Sequence, residues 1–118
     1  MELKMWAVTV SIKFQNKLAK ESILSTLKNK SSNMFEGGGL IFRCFVNITE
    51  NSVEINHVFK SKSYVTKMRS NWTDQFWQYI KAMGGSVSRT EGECEVEYSS
   101  EINLEEFKKG ITFILLLL

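Results

Sequence analysis

Apolar and polar residues alternate over three short stretches in the first half of the chain. From residue 6 to residue 14 every second position is apolar, and this period of two predicts a strand with one buried face. The same alternation covers residues 40–48 and 53–59, and residues 49–52 between them predict the turn of a β-hairpin. The inward positions in this interpretation are Trp6, Val8, Val10, Ile12, Phe14, Leu40, Phe42, Cys44, Val46, Ile48, Val53, Ile55, His57 and Phe59.

Helical spacing replaces alternation in two other stretches. Residues 17–30 predict a first helix, with Leu18 on its buried face and Lys20 turned to water. Residues 71–83 predict a second helix, because their apolar side chains recur at helical steps. Its predicted buried stripe is Trp72, Phe76, Tyr79, Ile80 and Met83.

The ends of the second helix are also marked in the sequence. Asn71 is suited to the N-cap position, where its side chain can accept a hydrogen bond from a free backbone N–H group. Gly84 and Gly85 are suited to its end, since glycine tolerates the left-handed conformation there. We therefore expect the helix to begin after Asn71 and to end before Gly84.

The last third of the chain predicts two further strands and a short helix. Val87 and Val96 have opposite parity, so we expect the strand over residues 86–98 to change register at Gly92 through a turn or a bulge. A short helix over 104–109 and an apolar strand over 111–118 follow. The order β-α-β-β-α-β, plus this extra helix and strand, matches an α+β ferredoxin-like fold: an antiparallel sheet with two helices on one face. We expect one domain over residues 1–118.

The charge balance adds a division that the total hides. The net charge is +2, but residues 1–69 carry eleven basic and five acidic residues, whereas residues 70–118 carry four and eight. Internal pairing of the two halves accounts for this division, and so does binding to a charged partner. No signal peptide is visible and the apolar run over 111–118 is too short to span a bilayer, so we expect an intracellular, cytoplasmic protein.

Residues suited to catalysis are few. His57 is the only histidine, and it could act with Cys44 as base and nucleophile only if the buried thiol were reachable. Cys94 is also expected inward, so both cysteines are interpreted as buried thiols. No zinc spacing and no phosphate-binding loop is present, and we predict no metal, no cofactor and no catalytic residues.

Two surfaces are candidates for binding. Glu93, Glu95 and Glu97 form an acidic ladder on one strand face, and Trp77, out of register with the helical stripe, is either core or an exposed anchor for a protein partner. The second surface is a basic, serine-rich loop over residues 60–69, whose cations could neutralise phosphates while its tyrosine stacks on a base. Its candidate nucleic-acid-binding residues are Lys60, Lys62, Tyr64, Lys67 and Arg69.

Three functional hypotheses follow from these features. The first is a small non-catalytic protein that binds a macromolecular partner, most often another protein, as phage and mobile-element regulators or inhibitors do. The second is a nucleic-acid-binding module that uses residues 60–69. The third is an enzyme or small-ligand binder with a pocket between sheet and helices, built around His57. We favour the first, and expect a homodimer through the C-terminal strand.

Overall fold

The computed structural model describes residues 5–29, 34–35 and 37–97, except for the side chains at positions 71 and 72. Within them four antiparallel strands form one sheet in the order β2-β3-β1-β4, with the helices on one face. This arrangement confirms the predicted ferredoxin-like fold. Its elements are β1 (Met5–Lys13), α1 (Lys17–Asn29), β2 (Leu40–Thr49), β3 (Ser52–Phe59), α2 (Lys62–Met68), a π-helical segment (Arg69–Thr73), α3 (Asp74–Ala82) and β4 (Ser86–Cys94).

β1 lies in the middle of the sheet and sets the two faces. Val10 pairs with Ile55 of β3 on one side and with Arg89 of β4 on the other. Because side chains alternate along a strand, these residues share the face that the helices cover. The covered face is the core, and β1 and β3 supply it with the predicted inward residues Val8, Val10, Ile12, Val53, Ile55 and Phe59.

β2 changes parity where the sequence analysis kept it constant. A bulge between Leu40 and Phe42 shifts the register against β3, so that Leu40 points into the core while Cys44 pairs with Asn56 on the opposite, open face of the sheet. The prediction that Cys44 faces inward beside His57 is therefore wrong. The two residues lie on opposite faces, which excludes them as a nucleophile and base pair.

α1 has the predicted bounds within one residue but a rotated face. Leu18 is 75% exposed, whereas Lys20 is buried and its Nζ donates to the Thr49 carbonyl at 2.7 Å. Lys20 lies three positions before Ile23 and seven before Leu27, so its aliphatic stem belongs to the apolar stripe. The expected positions of Leu18 and Lys20 are both wrong for this reason.

α2, the π-helical segment and α3 form one continuous helical run over residues 62–82. The predicted basic loop over 60–69 is thus mostly helix, and Asn71 is interior to the run and not an N-cap. The buried positions are Val65, Met68, Thr73, Trp77 and Ile80. The step of five between Met68 and Thr73 reflects the wider π turn, which rotates the buried face. Tyr79 and Met83 are exposed as a result.

The end of the helical run agrees with the sequence. Gly84 has a φ of 86°, and the Gly85 N–H donates to the Ile80 carbonyl at 3.1 Å. β4 then continues through Gly92, pairing with β1 without a register shift, so the predicted turn or bulge there is wrong. This continuous register places Cys94 on the open face. The predicted helix over 104–109 and strand over 111–118 lie outside the described residues.

Candidate active site between sheet and helices

A cavity lies between the covered face of the sheet and the helices. It is lined mainly by apolar side chains from both layers, including Val10, Phe59 and Trp77. The volume that the centre of a water molecule can occupy in it is about 30 Å³. This is enough room for roughly one or two waters. Four polar residues also line it: His57, Arg69, Thr73 and Arg89.

His57 is 5% exposed, and its ring is held by a hydrogen bond to the backbone of β1. Its Nδ1 lies 3.0 Å from the Val8 carbonyl oxygen. A carbonyl only accepts, so Nδ1 carries the hydrogen and Nε2 is left as an acceptor. Burial lowers the pKa of His57 to about 4, with smaller contributions from the Val8 hydrogen bond, which raises it, and from Arg43 and Arg89, which lower it. The imidazole is therefore neutral near pH 7.

Two buried polar atoms beside the cavity have no protein partner. Among the described residues, Thr73 Oγ1 and Arg89 Nε are the buried side-chain atoms without a hydrogen bond. Thr73 is 7% exposed and ends the π-helical segment, while Arg89 stands on β4 opposite Val10. An unsatisfied buried donor costs about 1–3 kcal/mol. Unsatisfied buried groups are rare in native proteins, and a bound ligand is one way in which the missing partner can be supplied.

An ion-pair cluster of Arg69, Asp74, Arg89 and Glu91 closes the cavity on the side of α3 and β4. Arg89 Nη2 lies 2.8 Å from Glu91 Oε2, and its Nη1 lies 3.9 Å from Asp74 Oδ1. Arg69 Nε donates to the same Asp74 oxygen at 3.2 Å. The two cations thus face two carboxylates. Burial lowers the pKa of Arg89, and the Glu91 carboxylate opposes that effect.

Outside this cluster lies an open groove of about 340 Å³. Arg69, Trp77 and Arg89 line both the groove and the inner cavity, so their side chains form the partition between them. The rest of the groove comes from Asp74, Gln78, Lys81 and Val87. A molecule that reached the cavity from this side would have to displace the partition.

The residues predicted for protein binding do not form one surface. Trp77 is 9% exposed and packs in the core, edge-on to Phe76 at 5.2 Å between ring centroids. Glu93 is on β4, whereas Glu95 and Glu97 follow its last residue and are exposed. The expected ladder on a single strand is therefore not present, although the assignment of these residues to binding stays a prediction.

The residues predicted for nucleic-acid binding lie on and beside α2. Lys60, Lys62 and Lys67 are exposed, and Lys62 Nζ lies 5.2 Å from the Trp6 ring centroid. The Tyr64 ring is half-buried against Gly39, and Arg69 belongs to the ion-pair cluster. Two of the five candidates are thus engaged inside the protein, and the binding role of the set stays a prediction.

Arg89 and Thr73 were not singled out from the sequence. Arg89 lies two residues after Val87 on the same strand, so it shares a face with Val87 whether or not the register changes at Gly92. That parity was the available signal. Thr73 lies seven residues before Ile80, which was predicted to be buried, and this helical spacing was the available signal.

Comparison with known proteins gives similarity in structure but not in sequence. No protein-family profile matches the chain, and no curated protein matches it. A dimeric ferredoxin-like protein from an uncultured marine organism is 13% identical, with a TM-score of 0.62, over 83% of this chain and 94% of that one. These values show a shared fold.

Two other solved structures with the same fold are enzymes. A monooxygenase from the gene ActVA-Orf6 of Streptomyces coelicolor, in complex with nanaomycin D, is 8% identical with a TM-score of 0.61, over 83% of this chain and 94% of that one. SnoaB, a cofactor-independent oxygenase from Streptomyces nogalater, is also 8% identical with a TM-score of 0.61, over 84% and 99% of the two chains.

This comparison corrects the favoured hypothesis of a non-catalytic binding protein and its nucleic-acid-binding alternative. The structures that share the fold include oxygenases, and one of them needs no cofactor. The hypothesis was based in part on the absence of metal ligands, and a protein described as a cofactor-independent oxygenase shows that this absence does not exclude an enzyme. Nothing in the comparison supports a phage or mobile-element origin. Among the described residues, no helix is long and apolar enough to cross a membrane.

Proposed function

We propose that this protein is an enzyme that oxidises a small, electron-rich aromatic molecule with O₂ in the cavity, without a bound cofactor. The observation that carries the proposal is the polar set of His57, Arg69, Thr73 and Arg89 in a cavity that is otherwise apolar. Apolar pockets with a few convergent polar groups are typical ligand sites. The fold shared with two oxygenases supports oxidation as the reaction class.

The electron balance restricts the substrate. Without a cofactor or external reductant, the four electrons that reduce O₂ must all come from the substrate. A phenol satisfies this requirement when the ring C–H opposite its hydroxyl becomes a carbonyl. One oxygen atom of O₂ becomes that carbonyl oxygen, the other leaves as water with two hydrogens, and the phenol becomes a quinone. The product therefore has two fewer hydrogens and one more oxygen than the substrate.

His57 is suited to holding the substrate's hydroxyl group. The lone pair on Nε2 can accept a hydrogen bond from a phenolic O–H, since the Val8 carbonyl fixes the hydrogen on Nδ1. With a pKa of about 4, the imidazole is a weak base, and taking a proton from a phenol of ordinary pKa near 10 would cost about 8 kcal/mol. We therefore assign His57 an orienting role, and expect substrates that are readily ionised.

The cavity must widen to admit such a molecule, because it has room for only one or two waters in this form. The partition gives the route. The Arg69–Asp74 pair is about half exposed, and an exposed ion pair contributes only ~0–1 kcal/mol. Separation of this pair is therefore a small cost against the apolar area that a bound aromatic ring would bury.

The experiment is an oxygen-uptake assay on the full chain with 1-naphthol and 1,5-dihydroxynaphthalene, corrected for autoxidation. We expect one O₂ consumed per quinone formed and a rate unaffected by EDTA. His57→Asn keeps a donor near the Val8 carbonyl but removes the Nε2 acceptor, and should lower the rate at least tenfold. Leu18→Ser on the exposed side of α1 is the control. A wild-type rate equal to autoxidation would overturn the proposal.

We further propose that two copies pair through the open face of the sheet. Phe42 and Val46 are exposed apolar residues on the strand β2, and the register puts both on that face. The dimeric state of one ferredoxin-like structure supports a dimer, without specifying the face through which its copies pair. Sedimentation should give a dimer that Val46→Lys weakens, whereas a monomeric wild type would contradict it. The predicted contribution of residues 111–118 lies outside the described residues and stays a prediction.

A further inference from the structure

The proposed reaction leaves the unpartnered atoms of Thr73 and Arg89 without a role. Each places a buried polar atom without a partner beside the same cavity, one from the helical run and one from β4. Buried donors without a hydrogen-bond partner are destabilising in the empty protein. They come from opposite layers, so one ligand between the layers can reach both.

The charges around Arg89 define what that ligand should be. Arg89 already faces Glu91 at 2.8 Å and Asp74 at 3.9 Å, so its positive charge is balanced by carboxylates. The cluster of two arginines and two carboxylates has no net charge, so a ligand carboxylate or phosphate would lose its hydration without gaining a net electrostatic attraction. A neutral oxygen acceptor has no such penalty, and it can still accept a hydrogen bond from the free Nε.

We infer that Thr73 Oγ1 and Arg89 Nε bind a neutral carbonyl oxygen of the ligand, so that the cavity selects an aromatic ketone over both a hydrocarbon and a carboxylate. This inference depends on the proposed function for the cavity, and it adds the identity of the polar group. The hydroxyl and the guanidinium both donate, the carbonyl accepts, and the ring occupies the apolar part beside Val10 and Trp77.

The inference separates three probes of similar size: 1-tetralone, naphthalene and 1-naphthoate. Isothermal titration calorimetry on the full chain should give the tightest binding for 1-tetralone. Removing one hydrogen bond from a bound carbonyl costs roughly tenfold in affinity. Thr73→Val, which keeps the shape but removes the hydroxyl, should therefore weaken 1-tetralone binding about tenfold and leave naphthalene binding unchanged.

Two further variants test the role of the hydroxyl group itself. Thr73→Ser restores the hydroxyl and should recover most of the preference for the ketone. Thr66→Val is the matched control, because Thr66 is exposed on α2 and bonds to the Lys62 carbonyl. Arg89→Lys keeps the charge but removes Nε, and should also reduce the preference.

The outcomes distinguish this inference from the function on which it depends. If none of the three probes binds the wild type, the ketone inference is overturned, and the oxygen-uptake assay with 1-naphthol decides the proposed function separately. If the probes bind but 1-tetralone has no advantage, or Thr73→Val weakens all of them equally, the ketone inference alone is overturned. A stronger preference for 1-naphthoate would show that the carboxylates do not balance the arginines.

Discussion

Polar side chains on the two sides of the sheet differ in how completely their hydrogen bonds are satisfied. On the open face, Thr9 Oγ1 donates to Asn56 Oδ1 at 3.0 Å, and water is available to both side chains. Between the covered face and the helices, His57 and Arg89 of the sheet and Thr73 of the helical run line a largely apolar cavity, and Thr73 Oγ1 and Arg89 Nε have no partner. Among the described residues, the buried polar atoms whose hydrogen bonds a ligand would complete therefore lie on the covered side.

This difference separates stability from chemistry. Removal of water strengthens electrostatic interactions, so a donor on the covered face affects a bound molecule more than the same donor on the open face does. The same exclusion of water makes that donor costly in the empty protein. Matched substitutions on the two faces should consequently differ in size and, for the polar residues, in sign.

Glycine substitutions should give the largest contrast. Gly39 has a φ of 76°, and a Cβ there would collide with the Tyr64 ring on the covered side. Gly39→Ala should lower the free energy of unfolding by about 4 kcal/mol, from backbone strain and overpacking together. Gly92 lies opposite Ala7 on the open face with free space around it. Gly92→Ala should be neutral or stabilise by ~0.5 kcal/mol. Urea unfolding measures both, and equal effects would contradict the contrast.

A pH titration tests the buried state of His57 and gives the next largest effect. Burial lowers its pKa from 6.5 to about 4, so between these values the unfolded chain binds a proton that the folded protein does not. Stability should be complete above pH 6.5 and should fall by about 3 kcal/mol as the pH drops towards 4. Urea unfolding at several pH values measures this effect. Over the same pH range, the stability loss of His57→Asn should be smaller than that of the wild type by about 3 kcal/mol. Parallel curves for the two proteins would show that His57 is not buried as described.

The sequence was sufficient for the fold because alternation in β1 and β3 is regular. Val10 and Ile55 were predicted inward and are inward, and the hairpin and the end of the second helix are also confirmed. These features depend on local patterns, which a sequence records directly. The inward positions predicted for β2 after Leu40 were wrong. The bulge between Leu40 and Phe42 reverses which residues face the core, and it leaves no clear signal in the sequence.

The site was less predictable because it depends on departures from regular structure. Thr73, Trp77 and Ile80 share one face at regular steps of four and three, but the π turn shifts this face by one residue relative to Val65 and Met68, and that shift cannot be derived from a period of 3.6. Arg89 faces inward because it lies two residues from Val87 and pairs with Val10 of β1. His57 alone was identified as the centre of a pocket hypothesis, since its strand is regular.

Threonine-to-valine substitutions on the two sides of the sheet should give the smallest effect. They should change the free energy of unfolding in opposite directions. Thr73→Val removes a buried hydroxyl without a partner, and should raise the free energy of unfolding by ~1 kcal/mol. Thr9→Val removes the donor to Asn56 on the open face, and should lower it by up to ~1 kcal/mol. Thermal unfolding of the ligand-free proteins should therefore move the two midpoints in opposite directions. A destabilised Thr73→Val protein would mean that the hydroxyl already has a partner, and the cavity would then contain no unfilled donor from the helical run.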